Sequence, residues 1–257
     1  MAVHGRTVIV TGGISGIGAA VVEALTQSGF LPVAVDIKPR ADVELPAPAL
    51  YWDQPLDVSD EAQVSAGVVA IEAHHGPVEG LVNAAGILGK MHTPDRLRMT
   101  DWDREIAVDL RGTFLMCRAV GAAMAQRGHG SIVNIASVVG SSSAPVHGYG
   151  PAKAAVINLT LTLAAEWGPR GVRVNAISPG FTRTPALEKA FEAGALSKDD
   201  MTRNTALGRL VEPIEVGRAA AWLIGPQSSG ITGVNLVVDA GFLAGVSWTA
   251  YGGLRGA

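Results

Sequence analysis

Tyr149 and Lys153 stand four positions apart in Gly148-Tyr149-Gly150-Pro151-Ala152-Lys153. On a helix that spacing puts a phenol and an ammonium on one face, within reach of each other. A free tyrosine titrates near pH 10. A fixed cation beside it favours the phenolate and turns it into a base usable near neutrality. Ser137 closes the apolar run 131–136 just upstream. It falls at the carboxyl edge of a strand, where open α/β sheets bind ligands, and its hydroxyl is placed to donate to a substrate oxygen. Tyr-x3-Lys alone occurs by chance on many surface helices. The serine before it makes the group specific, and the chemistry is proton transfer at an alcohol or carbonyl oxygen.

A second constellation lies at the front of the chain. Val8-Ile9-Val10-Thr11-Gly12-Gly13-Ile14-Ser15-Gly16-Ile17-Gly18 reads as strand, glycine turn and helix start. Such a turn presents the backbone N–H groups around Ser15 and Ile17 to a phosphate at the positive end of the helix dipole. Gly12, Gly16 and Gly18 permit the close approach. Their Gly-x3-Gly-x-Gly spacing differs from the Gly-x-Gly-x-x-Gly fingerprint. Asp36 ends the next apolar run about twenty residues on, where a carboxylate binds both ribose hydroxyls of NAD and repels the 2′-phosphate of NADP. NAD is therefore the expected cofactor, although Lys38 and Arg40 close behind would soften the preference. Ile37 and Val58 are expected to flank the adenosine. Asp57 is read either as an acceptor for the adenine amine or as a loop or helix-capping acid.

These groups need a scaffold that brings strand ends together. β-branched runs at 7–10, 31–36, 50–52, 78–83, 131–136, 172–177 and 234–238 alternate with helical stretches at 19–28, 61–74, 101–126, 151–167 and 213–224. That alternation predicts an α/β fold, a Rossmann-like doubly wound parallel sheet of about seven strands with helices on both faces. The 257 residues are expected to form one dinucleotide-binding and catalytic domain. The polar segment 184–209 is read as a substrate lid, and the Gly-rich tail 242–257, with Trp248 and Tyr251, as a possible subunit contact. The Pro-rich stretch 39–48 is read as a surface loop.

A net charge of −3 points away from nucleic acid and acidic membranes, leaving a small-molecule substrate as the partner class. The single cysteine, Cys117, has no partner for an internal disulfide and reads as a packing residue. His74-His75 close a helix and have no third ligand at metal spacing, so no metal is expected. No charged leader precedes an apolar run, so the expected location is the cytoplasm. His147, two residues before Tyr149, is a candidate for the active-site mouth. Leu88, Val138, Val139, Phe181 and Leu187 are expected to complete a largely apolar pocket.

In order and spacing, Thr11-Gly12-x3-Gly16-x-Gly18, Asn83-Ala84-Ala85-Gly86, Ser137, Tyr149-x3-Lys153, Arg173-Val174-Asn175 and Pro179-Gly180 with Thr184 resemble the short-chain dehydrogenase/reductase family from Arg6 to Gly241. The resemblance implies hydride exchange between NAD(P)(H) and alcohols or ketones, in a dimer or tetramer. It makes Tyr149 the general acid/base, has Lys153 favour its phenolate and bind the nicotinamide ribose, and gives Ser137 the substrate oxygen. Asn83, Ala84 and Gly86 would line the adenosine ribose. Pro179, Gly180, Thr182 and Thr184 would cradle the nicotinamide amide and pyrophosphate. The family's fourth catalytic position is usually Asn and holds a water leading from the lysine to solvent. Here Asp109 stands there, an acceptor that cannot donate when ionised. Two rival readings are an NADP-dependent carbonyl or 3-oxoacyl reductase, disfavoured by Asp36, and a non-catalytic nucleotide-binding regulatory protein, for which only Asp109 speaks.

Overall fold

The computed structural model describes residues 5–38, 44–89 and 91–254. Arg40 and the first half of the Pro-rich loop, 39–43, lie outside them. The strands are β1 (Thr7–Thr11), β2 (Leu31–Val35), β3 (Leu50–Tyr51), β4 (Val78–Asn83), β5 (Gly130–Ile135), β6 (Val172–Pro179) and β7 (Asn235–Val238). They form one sheet in the order β3-β2-β1-β4-β5-β6-β7, every pairing parallel. The order reverses between β1 and β4, which opens a crevice at their carboxyl ends.

Every residue of β1 is buried, so both faces of the strand must be covered. Ile9 points into a core with Leu81, Val120, Met124, Ile132 and Trp167, under α2 (Glu61–His75), α4 (Thr113–Arg127) and α5 (Tyr149–Trp167). Val8 and Val10 point the other way, against Val21, Leu25, Val216 and Leu223 of α1 (Gly16–Gln27) and α8 (Pro213–Ile224). The period-2 alternation of one strand thus assigns the helices to two layers.

The expected 101–126 helix is longer and irregular. α3 (Met99–Glu105) runs into a π-helical segment, Ile106–Gly112, and then into α4. Such widened turns are uncommon and concentrate at functional sites. The α5 helix starts at Tyr149 rather than Pro151, because a proline in the first turn gives up no intrahelical donor. The 184–209 segment holds two short helices, α6 (Pro185–Glu192) and α7 (Lys198–Thr202), neither with a buried residue. Thr184 and Ser197 cap them, accepting from Leu187 N and Asp200 N. Beyond β7 follow α9 (Phe242–Gly245) and a 3-10 segment, Val246–Tyr251. There Trp248 is half-exposed and Tyr251 fully so.

Cys117 is fully buried, and burial pushes its thiol up to about 12. His74 and His75 pack edge-on against Trp52, and burial lowers the His75 pKa. Among the described residues no metal-binding group of His, Cys, Asp or Glu occurs. Among the same residues no helix is long and apolar enough to cross a membrane.

Candidate active site

The carboxyl ends of β1, β4, β5 and β6 carry the glycine turn, Asn83 to Gly86, Ser137 and Pro179 to Thr184. At β1 the turn is sterically committed to glycine. Gly12 has φ +64°, and a Cβ there would lie 2.9 Å from Ala85 Cα. A Cβ on Gly18 would fall on the Gly12 carbonyl oxygen. The Thr11 hydroxyl accepts from the N–H groups of Ala84 and Ala85, at 3.1 and 3.0 Å, and so stitches the β1 and β4 loops across the crevice.

The start of α1 leaves its donors free. Ser15 sits at the N-cap with extended backbone, yet its exposed hydroxyl makes no capping bond, and the first turn holds no acid. Unused N–H groups at a helix N-terminus favour a phosphate. The Thr184 methyl would lie 3.4 Å from a Cβ on Gly16, so the capped start of α6 faces this turn. Asp36 follows β2, and its Oδ1 accepts from Lys38 N at 3.1 Å. A glycine cradle, free helix donors and an acid at the neighbouring strand end together fit a dinucleotide.

Other expected cofactor residues turn out to be partly engaged elsewhere. The Asn83 amide donates to Asn134 Oδ1 at 2.9 Å and to Cys117 Sγ at 3.3 Å, tying β4 to β5 and α4. The Asn83 Oδ1 has no hydrogen-bond partner among the described residues. Asp57 Oδ1 accepts from the N–H and hydroxyl of Ser59, the loop role that stood beside the adenine reading. Val58 is buried, whereas Ile37 is exposed. Pro179 ends β6, and Gly180 N donates to Val238 O, holding the β6 loop to β7. The Thr182 hydroxyl donates to Gly180 O at 3.0 Å.

The proton-transfer group assembles on α5 and at the end of β5. Ser137 caps a 3-10 turn with φ −168°, accepting from Val139 N at 3.4 Å while its own proton stays free to donate. Lys153 Nζ lies 5.3 Å from the Tyr149 ring centre and donates to Ile135 O at 3.0 Å. That carbonyl pins the buried ammonium on the tyrosine's side of the helix. His147, Val139 and Gly150 line an open groove beside it of about 340 Å³. A second groove, about 410 Å³, is bounded by Pro94, Leu97, Met99, Trp102 and His147. His147 is common to both. Phe181 instead packs edge-on against Phe242, Val138 is buried, and Leu88 is exposed.

Asp109 sits in the π segment and is fully buried. Its Oδ1 accepts from Ile87 N at 3.0 Å and lies 3.7 Å from Lys153 Nζ, an ion pair too long for a direct hydrogen bond. Its Oδ2 has no partner among the described residues. Burial raises the Asp109 pKa to about 6, against the Lys153 charge and the Ile87 amide, which lower it. Glu105 adds to the rise. That buried acid was missed by the sequence reading, which had no feature pointing to it beyond two acids four residues apart.

A family model described as Enoyl-(Acyl carrier protein) reductase matches residues 12–243. The chain belongs to the short-chain dehydrogenase/reductase family. It is 38% identical over 245 residues to D-threitol dehydrogenase of Mycolicibacterium smegmatis, covering 93% of each chain. It is 38% identical over 256 residues to the 3-alpha-(or 20-beta)-hydroxysteroid dehydrogenase of Mycobacterium tuberculosis, covering 98% of this chain and 94% of the other. A solved structure described as ribose-5-phosphate isomerase from Brucella melitensis superposes with a TM-score of 0.92 at 47% identity, over 98% of each chain. As a short-chain dehydrogenase/reductase, the protein is an oxidoreductase that uses a nicotinamide cofactor and a small-molecule substrate.

Proposed function

We propose that this short-chain dehydrogenase/reductase is NAD-dependent and interconverts a secondary alcohol and its ketone, with Tyr149 as general acid/base. The observation that carries the reading is the Lys153 ammonium, held by Ile135 O beside the Tyr149 ring. NAD(H), when bound, supplies the hydride acceptor or donor. Tyr149 takes the hydroxyl proton during oxidation and returns it during reduction. Ser137 orients the substrate oxygen with its free proton, and Lys153 stabilises the charge that develops on the phenol oxygen.

Asp36 supports NAD over NADP, since a carboxylate at the β2 end repels a 2′-phosphate. Residues 184–209 act as the lid in this reading: α6 and α7 hold no buried residue, and Thr184, the N-cap of α6, faces the glycine turn. The exposed Leu161, Trp222, Val237 and Trp248 support association of copies of the chain. Light scattering tests that point, and a monodisperse monomer would remove it. The function itself is tested by incubating the protein with NAD or NADP and a panel of secondary alcohols, sugars and polyols included. Growth of reduced-nicotinamide absorbance with NAD is expected. Faster growth with NADP would favour the carbonyl-reductase alternative.

The Brucella melitensis relative motivates a second reading, aldose–ketose isomerisation of a sugar phosphate. That reaction moves a proton between neighbouring carbons and needs no dinucleotide. The committed glycine turn and the free α1 donors argue against it. Conversion of ribose 5-phosphate by dinucleotide-free protein would establish it.

A further inference from the structure

His147 stands two residues before Tyr149, half-buried, and its ring makes no hydrogen bond, ion pair or ring contact among the described residues. Both open grooves near the tyrosine share it. The larger, about 410 Å³, falls within the range of small-molecule sites. Its other walls are Pro94, Leu97, Met99 and Trp102, so hydrocarbon, a thioether and an indole share the lining with one imidazole. Apolar walls with a single placed polar group are how such sites fix the orientation of a ligand.

The wall is built by local structure. Arg96 N and Leu97 N donate to Thr93 O, and that turn runs directly into α3, whose first turn Trp102 N closes on Arg98 O. The Arg98 guanidinium makes a two-point ion pair with Asp101, at 2.7 and 2.8 Å, and neither residue lines the groove. The far end of α3 is seated beside the tyrosine: a Cβ on Gly148, between His147 and Tyr149, would fall on Glu105 Oε2. Trp102 lies one turn before Glu105, on the same helix face. Among the described residues no Asp, Glu, Lys or Arg lines either groove. Leu88, Met91 and Met99 leave large apolar side chains exposed in the same segment after β4. Exposed apolar side chains gathered in this way mark a contact surface.

These walls select by chemistry. Each CH₂ group moved from water onto hydrocarbon gains about fourfold in affinity. A hydroxyl buried without a partner loses affinity instead. An open-chain polyol brings many hydroxyls to a lining with few partners for them, and a phosphate would meet no cation there. A ring alcohol offers a hydrocarbon face. A neutral imidazole then holds one donor and one acceptor for a further oxygen. We propose that the substrate is a secondary alcohol on an alicyclic ring bearing one further oxygen substituent. The groove between the 94–102 segment and His147 takes the ring, and His147 hydrogen-bonds the second oxygen and sets specificity. The hydroxyl that is oxidised is the one beside Tyr149 and Ser137, and His147 exchanges no proton with it.

This inference rests on the proposed alcohol oxidation, so its test has one arm without turnover. Protein saturated with NAD and ¹⁵N-labelled in histidine and tryptophan is titrated with 4-methoxycyclohexanone, which has no hydroxyl to oxidise. The His147 imidazole and Trp102 indole signals, assigned through His147→Phe and Trp102→Phe, are expected to shift. In the second arm kcat and KM are measured for cyclohexanediols, cyclohexanol and xylitol. The diols are expected to exceed xylitol by about tenfold or more in kcat/KM. His147→Phe keeps a ring and loses both hydrogen-bonding nitrogens. In it the advantage of the diols over cyclohexanol is expected to fall by about five- to tenfold, mainly through KM. Should that variant not fold, Leu97→Asp is read instead: a carboxylate in the apolar wall should raise KM for the diols by about tenfold. Unmoved His147 and Trp102 signals overturn the inference, as does xylitol matching the diols or a diol advantage that survives His147→Phe. Absence of hydride transfer from every alcohol would instead refute the functional reading, and the titration would still decide whether the groove takes a ring.

Discussion

Replacing Asp109 by Asn should stabilise this protein at neutral pH. The Asp109 carboxyl has no solvent exposure, and burial raises its pKa from the ordinary 3.8 to about 6. A folded-state value above the unfolded one means that folding prefers the protonated acid. The favourable contribution is complete below about pH 4 and is lost as pH rises through 6. The displacement from 3.8 to about 6 corresponds to about 3 kcal/mol against the ionised form, the favourable pull of Lys153 already included. Asn cannot ionise and keeps an oxygen for the Ile87 amide. The two proteins should therefore be alike near pH 4, and the Asn variant more stable by about 2–3 kcal/mol at pH 7.5. For a chain of this size that is a rise in Tm of about 5–10 °C. Urea unfolding of both proteins at a series of pH values measures it. A stability difference that does not vary with pH, or an Asn variant less stable at pH 7.5, would refute the reasoning. A buried charge kept at this cost is what a functional residue looks like.

Two further perturbations address the cofactor. Gly18→Ala puts a methyl group on the Gly12 carbonyl, so the turn must open; thermal melts should show a loss of about 1–3 kcal/mol, and titration should show weakened dinucleotide binding. Asp36→Ala removes the carboxylate that disfavours a 2′-phosphate, and the gap between NADH and NADPH affinities should narrow by roughly tenfold. An unchanged ratio in a fluorescence titration would mean that Asp36 does not read the ribose.

Much of the scaffold was legible because its signals are redundant. The first strand, glycine turn and helix agree in period, turn chemistry and length, and the parallel sheet follows from the alternation of elements. Tyr149 and Lys153 share a face because their spacing leaves a helix no alternative. The α6 and α7 helices leave only a polar segment in the sequence because they are short and bury nothing, although Thr184-Pro185 and Ser197 carry start signals. The π segment left no trace in Ile106-Ala107-Val108-Asp109-Leu110-Arg111-Gly112, since an i→i+5 pattern is set by packing rather than by residue type. Glu105 was invisible for a related reason: a helical acid is ordinarily solvated, and only the glycines at 89 and 148, far away in sequence, reveal that it is buried. The Asn83 amide nitrogen braces β5 and α4, a role that its place in Asn83-Ala84-Ala85-Gly86 does not reveal.

The central claim is that one phenol, placed beside the Lys153 ammonium, moves the proton that accompanies hydride transfer. Single-turnover formation of reduced nicotinamide from an oxidisable alcohol, compared between the wild-type protein and Tyr149→Phe at saturating NAD, tests it most directly. The account predicts a loss of about 10²-fold or more with NADH binding unchanged. A Tyr149→Phe protein that transfers hydride at nearly the wild-type rate would contradict it.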